Sequence, residues 1–285
     1  MPPEEWMKLL RVNAHPLDKR IYFDEPTHIY TIDGVSAGNI SCTGFLHAFF
    51  GHFDPEGTLK KMRANPAKWA ASKYFGKTNE QIIAEWNENG RQASEAGTAM
   101  HLAIEMFLND AADRIPPEVM KTKEWSYFMD FWKEHGWDLE PYRTEWEVFV
   151  PEIKLAGSID MIFRRKSTGK YLIYDWKRSR EIKKENTFQS GLGPLSHLPD
   201  CNYWHYTLQL NVYRWILENY YGLEITELAI LVFHPDNKGY KRFNLPRLED
   251  EIEAMIDCRR AAVEGGCKKA VDLSAHEEVR GWAGL

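Results

Sequence analysis

The feature that most narrows the fold is the run from Gly157 to Lys177, GSIDMIFRRKSTGKYLIYDWK. Gly157–Arg164 and Lys170–Lys177 are rich in β-branched and aromatic residues, and a turn signal at Ser167–Gly169 separates them. Two such runs around a tight turn predict antiparallel neighbouring strands. Folding that hairpin back brings Asp160 and Asp175 to the same end. Side chains two apart on a strand share a face, so Asp175 and Lys177 point the same way. Two acids and a lysine then converge on one spot. Hard divalent cations take oxygen ligands of this kind, and the backbone carbonyl of Trp176 is a further candidate ligand. An acid at the tip of the otherwise apolar run Tyr171–Tyr174 is costly unless something binds it.

Around this hairpin the pattern is mixed. Ile21–Asp33 reads as a hairpin turning at Glu25–Pro26. Ser41 or Thr43 caps a short helix through Phe50. Residues 54–110 read as mostly helical, broken near Pro66 and Gly76–Lys77, with further breaks expected at Gly90 and Gly97. Glu124–His135 is a helix and Arg143–Val150 a strand. After a loop over 189–200 come a helix at Tyr203–Tyr221, an apolar strand at Glu227–His234 expected to be buried on both faces, and a helix at Leu248–Val263. Strands alternating with helices indicate an α/β (α+β) layered core. The expected division is a hairpin and helical region at 1–95 packing on a core at 96–285, with the opening 18 or so residues as a loose arm.

The chain has 285 residues, 44% of them hydrophobic, enough for a substantial core. No apolar run approaches the roughly 18 residues of a membrane span, and Met1–Trp6 lacks an apolar signal region. The expectation is a soluble protein inside a cell, in the cytoplasm of a bacterium or host, not secreted and with no membrane partner. The net charge of -6 argues against a passive nucleic-acid coat. It does not argue against an enzyme whose site concentrates carboxylates. Cys42, Cys201, Cys258 and Cys267 form no CxxC pair, so reduced thiols are expected. The basic stretch Lys177–Lys184 is the stronger candidate grip on a nucleic-acid backbone, through Lys177, Arg178, Arg180, Lys183 and Lys184. Lys60–Arg63 and Arg164–Lys166 are weaker candidates. Most of the 11 tryptophans are expected in the core, the rest offering stacking surfaces for single strands.

The segment Gly157–Ser179, GSIDMIF…YLIYDWKRS, resembles the signature of the PD-(D/E)XK nucleases, in their RecB-like branch. It is similar to that of the mitochondrial genome maintenance exonucleases. Gly97–Glu105, GTAMHLAIE, resembles the G-x-x-x-H-x-x-x-E helix of this branch, and Gln209-x-x-x-Tyr213 resembles its Q-x-x-x-Y motif. The hairpin with His28-x-Tyr30 resembles the amino-terminal part of related phage and large-virus proteins. The resemblance is dense over 97–215 and thin outside it.

It implies a restriction-endonuclease-like α-β-β-β-α-β core and a magnesium- or manganese-dependent site. His101, Asp160 and Asp175 would ligate the metal. Lys177 would position or deprotonate the attacking water, or stabilise the phosphorane. Gln209 and Tyr213 would orient Lys177 or the substrate backbone. Glu105 shares a helix face with His101 and is a candidate ligand, or an acceptor fixing the His101 tautomer. Glu145 and Glu147 flank Trp146 on one strand face, and either is a candidate to approach the metal. The cysteines do not bracket the core as an iron–sulfur staple would, so no cluster is expected. The implied activity is hydrolysis of DNA phosphodiesters by an exonuclease or end-processing enzyme that prefers single strands or ends. It would act in replication, recombination or repair, alone or beside proteins of that machinery. The alternatives are an RNA endonuclease, or an inactive nucleic-acid-binding accessory module.

Overall fold

The computed structural model describes residues 5–265. Helix α1 (Lys8–Val12) and a 3-10 turn at Pro16–Arg20 precede a hairpin of β1 (Ile21–Asp24) and β2 (Ile29–Ile32). Strand β3 (Ile40–Ser41) runs into α2 (Cys42–His47), capped by the Ser41 hydroxyl, which accepts from the Gly44 N–H. Helices α3 (Pro55–Arg63), α4 (Pro66–Ala70), α5 (Asn79–Leu108), α6 (Pro117–Met120) and α7 (Lys123–His135) follow. The sheet strands are β4 (Leu139–Val150), β5 (Leu155–Arg165) and β6 (Tyr171–Lys177). After helix α8 (Asn202–Tyr220) come β7 (Ile225–Val232), β8 (Lys241–Asn244) and the closing helix α9 (Glu249–Val263).

The result is a mixed α/β fold. Strand β5 is antiparallel to β4 and β6, β6 is parallel to β7 through α8, and β8 is antiparallel to β7. One face of the sheet packs on α2, α8 and α9, burying Phe45, Trp146, Leu208, Ile216 and Ile256. The other packs on α5 and α7, burying Ile104, Phe128, Phe131, Phe163 and Trp176. Each such side chain contributes roughly 1.5–3 kcal/mol by leaving water. Strand β7 is almost wholly buried, as its apolar sequence requires.

One irregularity positions the site. Strand β4 lies along one edge of β5 over its whole length, so β6 and β3 share the other edge. There β6 pairs with Met161–Arg164 and β3 with Leu155–Ala156. Residues 157–160 of β5 have no ladder partner on that edge. The sheet forks at this point.

Three expectations need correction. Gly90 and Gly97 do not break α5, which runs 30 residues unbroken, through position 95. A glycine costs about 1 kcal/mol in a helix interior. A reciprocal cap between Thr78 and Gln81 and ion pairs from Arg91 to Glu88 and Glu95 offset that cost. At about 1.5 Å per residue the helix is a rod of roughly 45 Å. Its first turns join α3 and α4 around a small separate core of Leu59, Tyr74 and Ile82. Strands β3 and β8 add to the expected set, because two residues and the polar KRFN carry no strand pattern.

The opening segment is also not loose where it is described. The Asp18 carboxylate accepts from Arg143 Nη1 at 2.8 Å, from Trp146 Nε1 at 2.9 Å and from the His15 N–H at 2.8 Å. The Arg143 side chain is only 3% exposed. Asp18 and Arg143 lie too far apart in the chain to leave a local signal in sequence. Cys42, Cys201 and Cys258 form no disulfide, and Cys267 lies outside the described residues. Among the described residues no helix is long and apolar enough to cross a membrane. Asp18→Ala strands a buried guanidinium, so urea denaturation should show a loss of about 3 kcal/mol; a loss within error would return the segment to a loose arm.

Candidate active site

Three carboxylates stand abreast at the fork. The β4–β5 register sets Thr144 opposite Met161 and Trp146 opposite Ile159, so Glu145 falls opposite Asp160. The β5–β6 register sets Met161 opposite Tyr174, so its continuation brings Asp160 opposite Asp175. Neither of these carboxylate pairs is bridged in the ladder. Glu145 has φ 40°, a left-handed conformation that costs a non-glycine residue on the order of 1–3 kcal/mol. The strands change face here. In β5, Ile159 packs toward α8 while Met161 and Phe163 pack toward α5 and α7. In β4, Thr144 bonds to Asn109 at the end of α5 while Trp146 packs toward α8. Like charges set opposite each other across strands repel, so a cation among them would relieve the strain.

The backbone of Trp176 ties the fork together. Its N–H donates to Asp160 Oδ2 at 2.9 Å, and its carbonyl accepts from His101 Nε2 at 2.8 Å. A carbonyl only accepts, so Nε2 carries the proton and Nδ1 faces the acids. Nδ1 lies 3.5 Å from Asp160 Oδ2 and 3.7 Å from Glu145 Oε1. A bare nitrogen lone pair facing two carboxylates is unfavourable unless a proton or a metal ion lies between them. Burial works to lower the His101 imidazole, but Asp160 and then Glu145 outweigh it and hold the ring up at about 9. Ligand atoms of His101, Glu145 and Asp160 lie within 4.8 Å of one another. One imidazole nitrogen with carboxylate oxygens suits a divalent cation such as Mg²⁺ or Mn²⁺, the nitrogen favouring the softer of the two.

Asp175 lies beside this trio rather than in it. Its Oδ2 lies 2.7 Å from Lys177 Nζ, in an ion pair whose carboxylate is buried. Burial, and then Asp160, push the Asp175 carboxyl up to about 6. Burial opposes the Lys177 ammonium, but Asp175 and Asp160 outweigh it and raise its pKa. The Lys177 Nζ also sits 4.8 Å over the Tyr206 ring.

The remaining candidates sort as follows. Glu105 receives the Thr144 hydroxyl at 3.4 Å and lies outside the three-residue cluster. Glu147 is also outside that cluster. Gln209 Nε2 donates to Tyr213 Oη at 3.4 Å. The Tyr213 ring fills the space beside Gly157, where an added Cβ would stand 2.7 Å from Cε1. These two residues therefore brace β5 next to Asp160, while the aromatic neighbour of Lys177 is Tyr206. Neither Tyr206 nor the specific choice of Glu145 emerges from the sequence. The available signal is that residues 206, 209 and 213 share one face of a helix.

Two of the five candidates in the basic stretch are turned inward onto acids. Lys177 is turned inward onto Asp175, and Arg178 Nε reaches Glu124 at 2.8 Å. Arg180 is open and loosely paired with Asp236 at 3.6 Å. Lys184 lies over the Tyr203 ring at 4.7 Å, and Lys183 is exposed.

A forked mixed sheet presenting acids and a lysine on adjacent strands is the arrangement of a nuclease class. The chain belongs to the PD-(D/E)XK nuclease superfamily, whose family model matches residues 57–279. Two solved structures are similar to it. SSO0001 is 16% identical, with 88% of this chain and 82% of that one covered and a TM-score of 0.32. A candidate exonuclease of Eubacterium rectale is 9% identical, with 64% and 72% covered and a TM-score of 0.37. Likeness at that level adds nothing to the family assignment. No curated protein matches the sequence.

The cation-free site holds protons that a metal must displace. His101 is raised to about 9 and Asp175 to about 6. A group raised on folding stabilises the fold below its unfolded pKa and loses that contribution as pH rises through its folded value. Cation-free stability should therefore fall through Asp175 up to about pH 6 and through His101 from there to about pH 9. The rise in melting temperature on adding Mn²⁺ should grow over the same range, and Asp160→Asn should remove that rise. A manganese response that is flat with pH, or that survives Asp160→Asn, would contradict the site.

Proposed function

We propose that this chain is a Mg²⁺- or Mn²⁺-dependent deoxyribonuclease of the RecB-like branch, acting as an exonuclease or end-processing enzyme on single strands or ends. The observation that carries the reading is the convergence of His101, Glu145 and Asp160, with Asp175 and Lys177 beside them, at the fork between β5 and β6. His101, Glu145 and Asp160 would hold the cation, with Asp175 as the adjoining carboxylate. A cation there supplies Lewis acidity to a phosphoryl oxygen and acidifies its water.

The residues of the chain do the rest. Trp176, through its N–H and carbonyl, holds Asp160 and His101 in place. Asp175 and Tyr206 aim the Lys177 ammonium. Its raised pKa keeps it cationic, so its part is to orient water and stabilise charge on phosphorus rather than to remove a proton. Tyr213 and Gln209 keep β5 from shifting. Residues 1–95 would act as a region packed on the nuclease core of 96–285, and the setting would be replication, recombination or repair.

Labelled single- and double-stranded DNA, with matched RNA, incubated with Mg²⁺, Mn²⁺ or EDTA test this directly. Linear DNA single strands should be degraded only with a divalent cation, and closed circles spared. Asp160→Asn and Lys177→Ala should each slow cleavage by about a hundredfold or more. Cutting in EDTA, or full activity in Asp160→Asn, would refute the mechanism; preferential cutting of RNA would move the assignment to a ribonuclease.

A further inference from the structure

The protein carries a net charge of -6, yet residues 54–78 hold six basic residues, Lys60, Lys61, Arg63, Lys68, Lys73 and Lys77, against two acids, Asp54 and Glu56. This excess sits on the small helical cap of α3 and α4, which has its own core of Leu59, Tyr74 and Ile82. The structure pairs some of the basic residues and leaves others open, Arg180 and Lys183 after β6 among the open ones. Arg165 is held by Asp138 and Glu227, and Arg164 is loosely paired with Glu140 at 3.7 Å. Lys177 and Arg178 are turned inward onto Asp175 and Glu124. In the cap, Lys77 pairs with Glu85, and Lys73 reaches the same acid at 3.9 Å. Lys60, Lys61 and Lys68 are exposed and make no ion pair among the described residues.

Aromatic surface lies beside these charges. Phe75 is 61% exposed, and Arg63 stacks on the Trp69 ring at 4.2 Å. Like charges gathered on an acidic protein repel one another, and a polyanion removes that repulsion. Open lysines and an exposed ring on one small helical cap match a sugar-phosphate backbone with bases free to stack.

The cap is also fixed relative to the site. Arg63 at the end of α3 bonds to Asn79, the first residue of α5, and to the Lys77 carbonyl. Asn79 bonds in turn to Glu56. His101 lies 22 residues along the same unbroken helix, roughly 33 Å at the rise of an α-helix. At about 3.4 Å per stacked nucleotide, a strand reaching from the cap to the fork needs on the order of ten nucleotides.

We infer that the helical cap of residues 54–78 is the strand-binding surface of this protein, with Lys60, Lys61 and Lys68 on the phosphates and Phe75 as a stacking platform. The inference rests on the nuclease reading above and names where its substrate is gripped.

The test compares wild type with Lys60→Ala/Lys61→Ala/Lys68→Ala and with Phe75→Ala. Binding of a labelled single strand of about 20 nucleotides is measured in EDTA at several salt concentrations, and cleavage of a dinucleotide is followed with Mn²⁺. The triple variant should bind about tenfold more weakly, and its slope of log affinity against log salt should shrink by about 2, at roughly 0.7 for each phosphate that a lysine no longer neutralises. Phe75→Ala should weaken binding about fivefold with the slope unchanged. Dinucleotide cleavage, which cannot reach the cap, should be unaltered in both. Wild-type affinity and slope in the triple variant, or no strand binding by the wild type, overturn the inference. So does competition by poly-glutamate as effective as that by a nucleic-acid strand, which marks an acidic-protein surface. Strand binding that depends on the lysines without any cleavage leaves the cap standing and defeats the nuclease reading. Cleavage with no effect of the lysines does the reverse.

Discussion

The structure depends on the repulsion among Glu145, Asp160 and Asp175, set side by side on three adjacent strands. A sheet tolerates opposed like charges poorly, and here the ladder gives way around them. Strand β6 parts from β5 beyond Met161, β3 enters on the vacated edge, and Glu145 adopts a left-handed conformation. The polar groups of Trp176 that face the gap are satisfied by an acid and a histidine rather than by a neighbouring strand. The fork is thus both the weakest part of the sheet and the place where its chemistry gathers. Strain of this kind persists only where the surrounding packing over-determines it. Phe163 and Trp176 on one side, and Trp146 and Tyr213 on the other, supply that packing.

The same histidine links the fork to the rest of the molecule. Helix α5 begins at the basic cap, passes over the α7 side of the sheet through Met100 and Ile104, and delivers His101 to the Trp176 carbonyl. One continuous helix therefore spans the distance between that cap and the histidine.

Much of this is legible in the sequence, and the parts that are not share a cause. The β5–β6 hairpin, the juxtaposition of Asp160 with Asp175, and the common face of Asp175 and Lys177 follow from local turn chemistry and the two-residue period of a strand. The helices before and after the sheet follow from their periodicity. Glu145 cannot be separated from Glu147, because alternation makes them equivalent until the strand changes face between Thr144 and Trp146. The anchoring of Asp18 by Arg143, and the neutralisation of Arg178 by Glu124, depend on partners far away in the chain. For the same reason the local density of lysines and arginines does not reveal which of them the fold has already paired, as Lys177 with Asp175 and Arg178 with Glu124 show. The continuity of α5 across Gly90 and Gly97 shows capping and ion pairs outweighing two weak positions in a long helix.

The central claim is that a divalent cation is what reconciles the facing acids at the fork. Crystals grown with Mn²⁺ and measured at the manganese absorption edge test it most directly. The account predicts an anomalous peak among His101 Nδ1, Glu145 and Asp160, with Glu145 and Asp160 drawn inward onto it. Well-ordered crystals showing no peak there, or a peak only at surface acids away from β5, would contradict it.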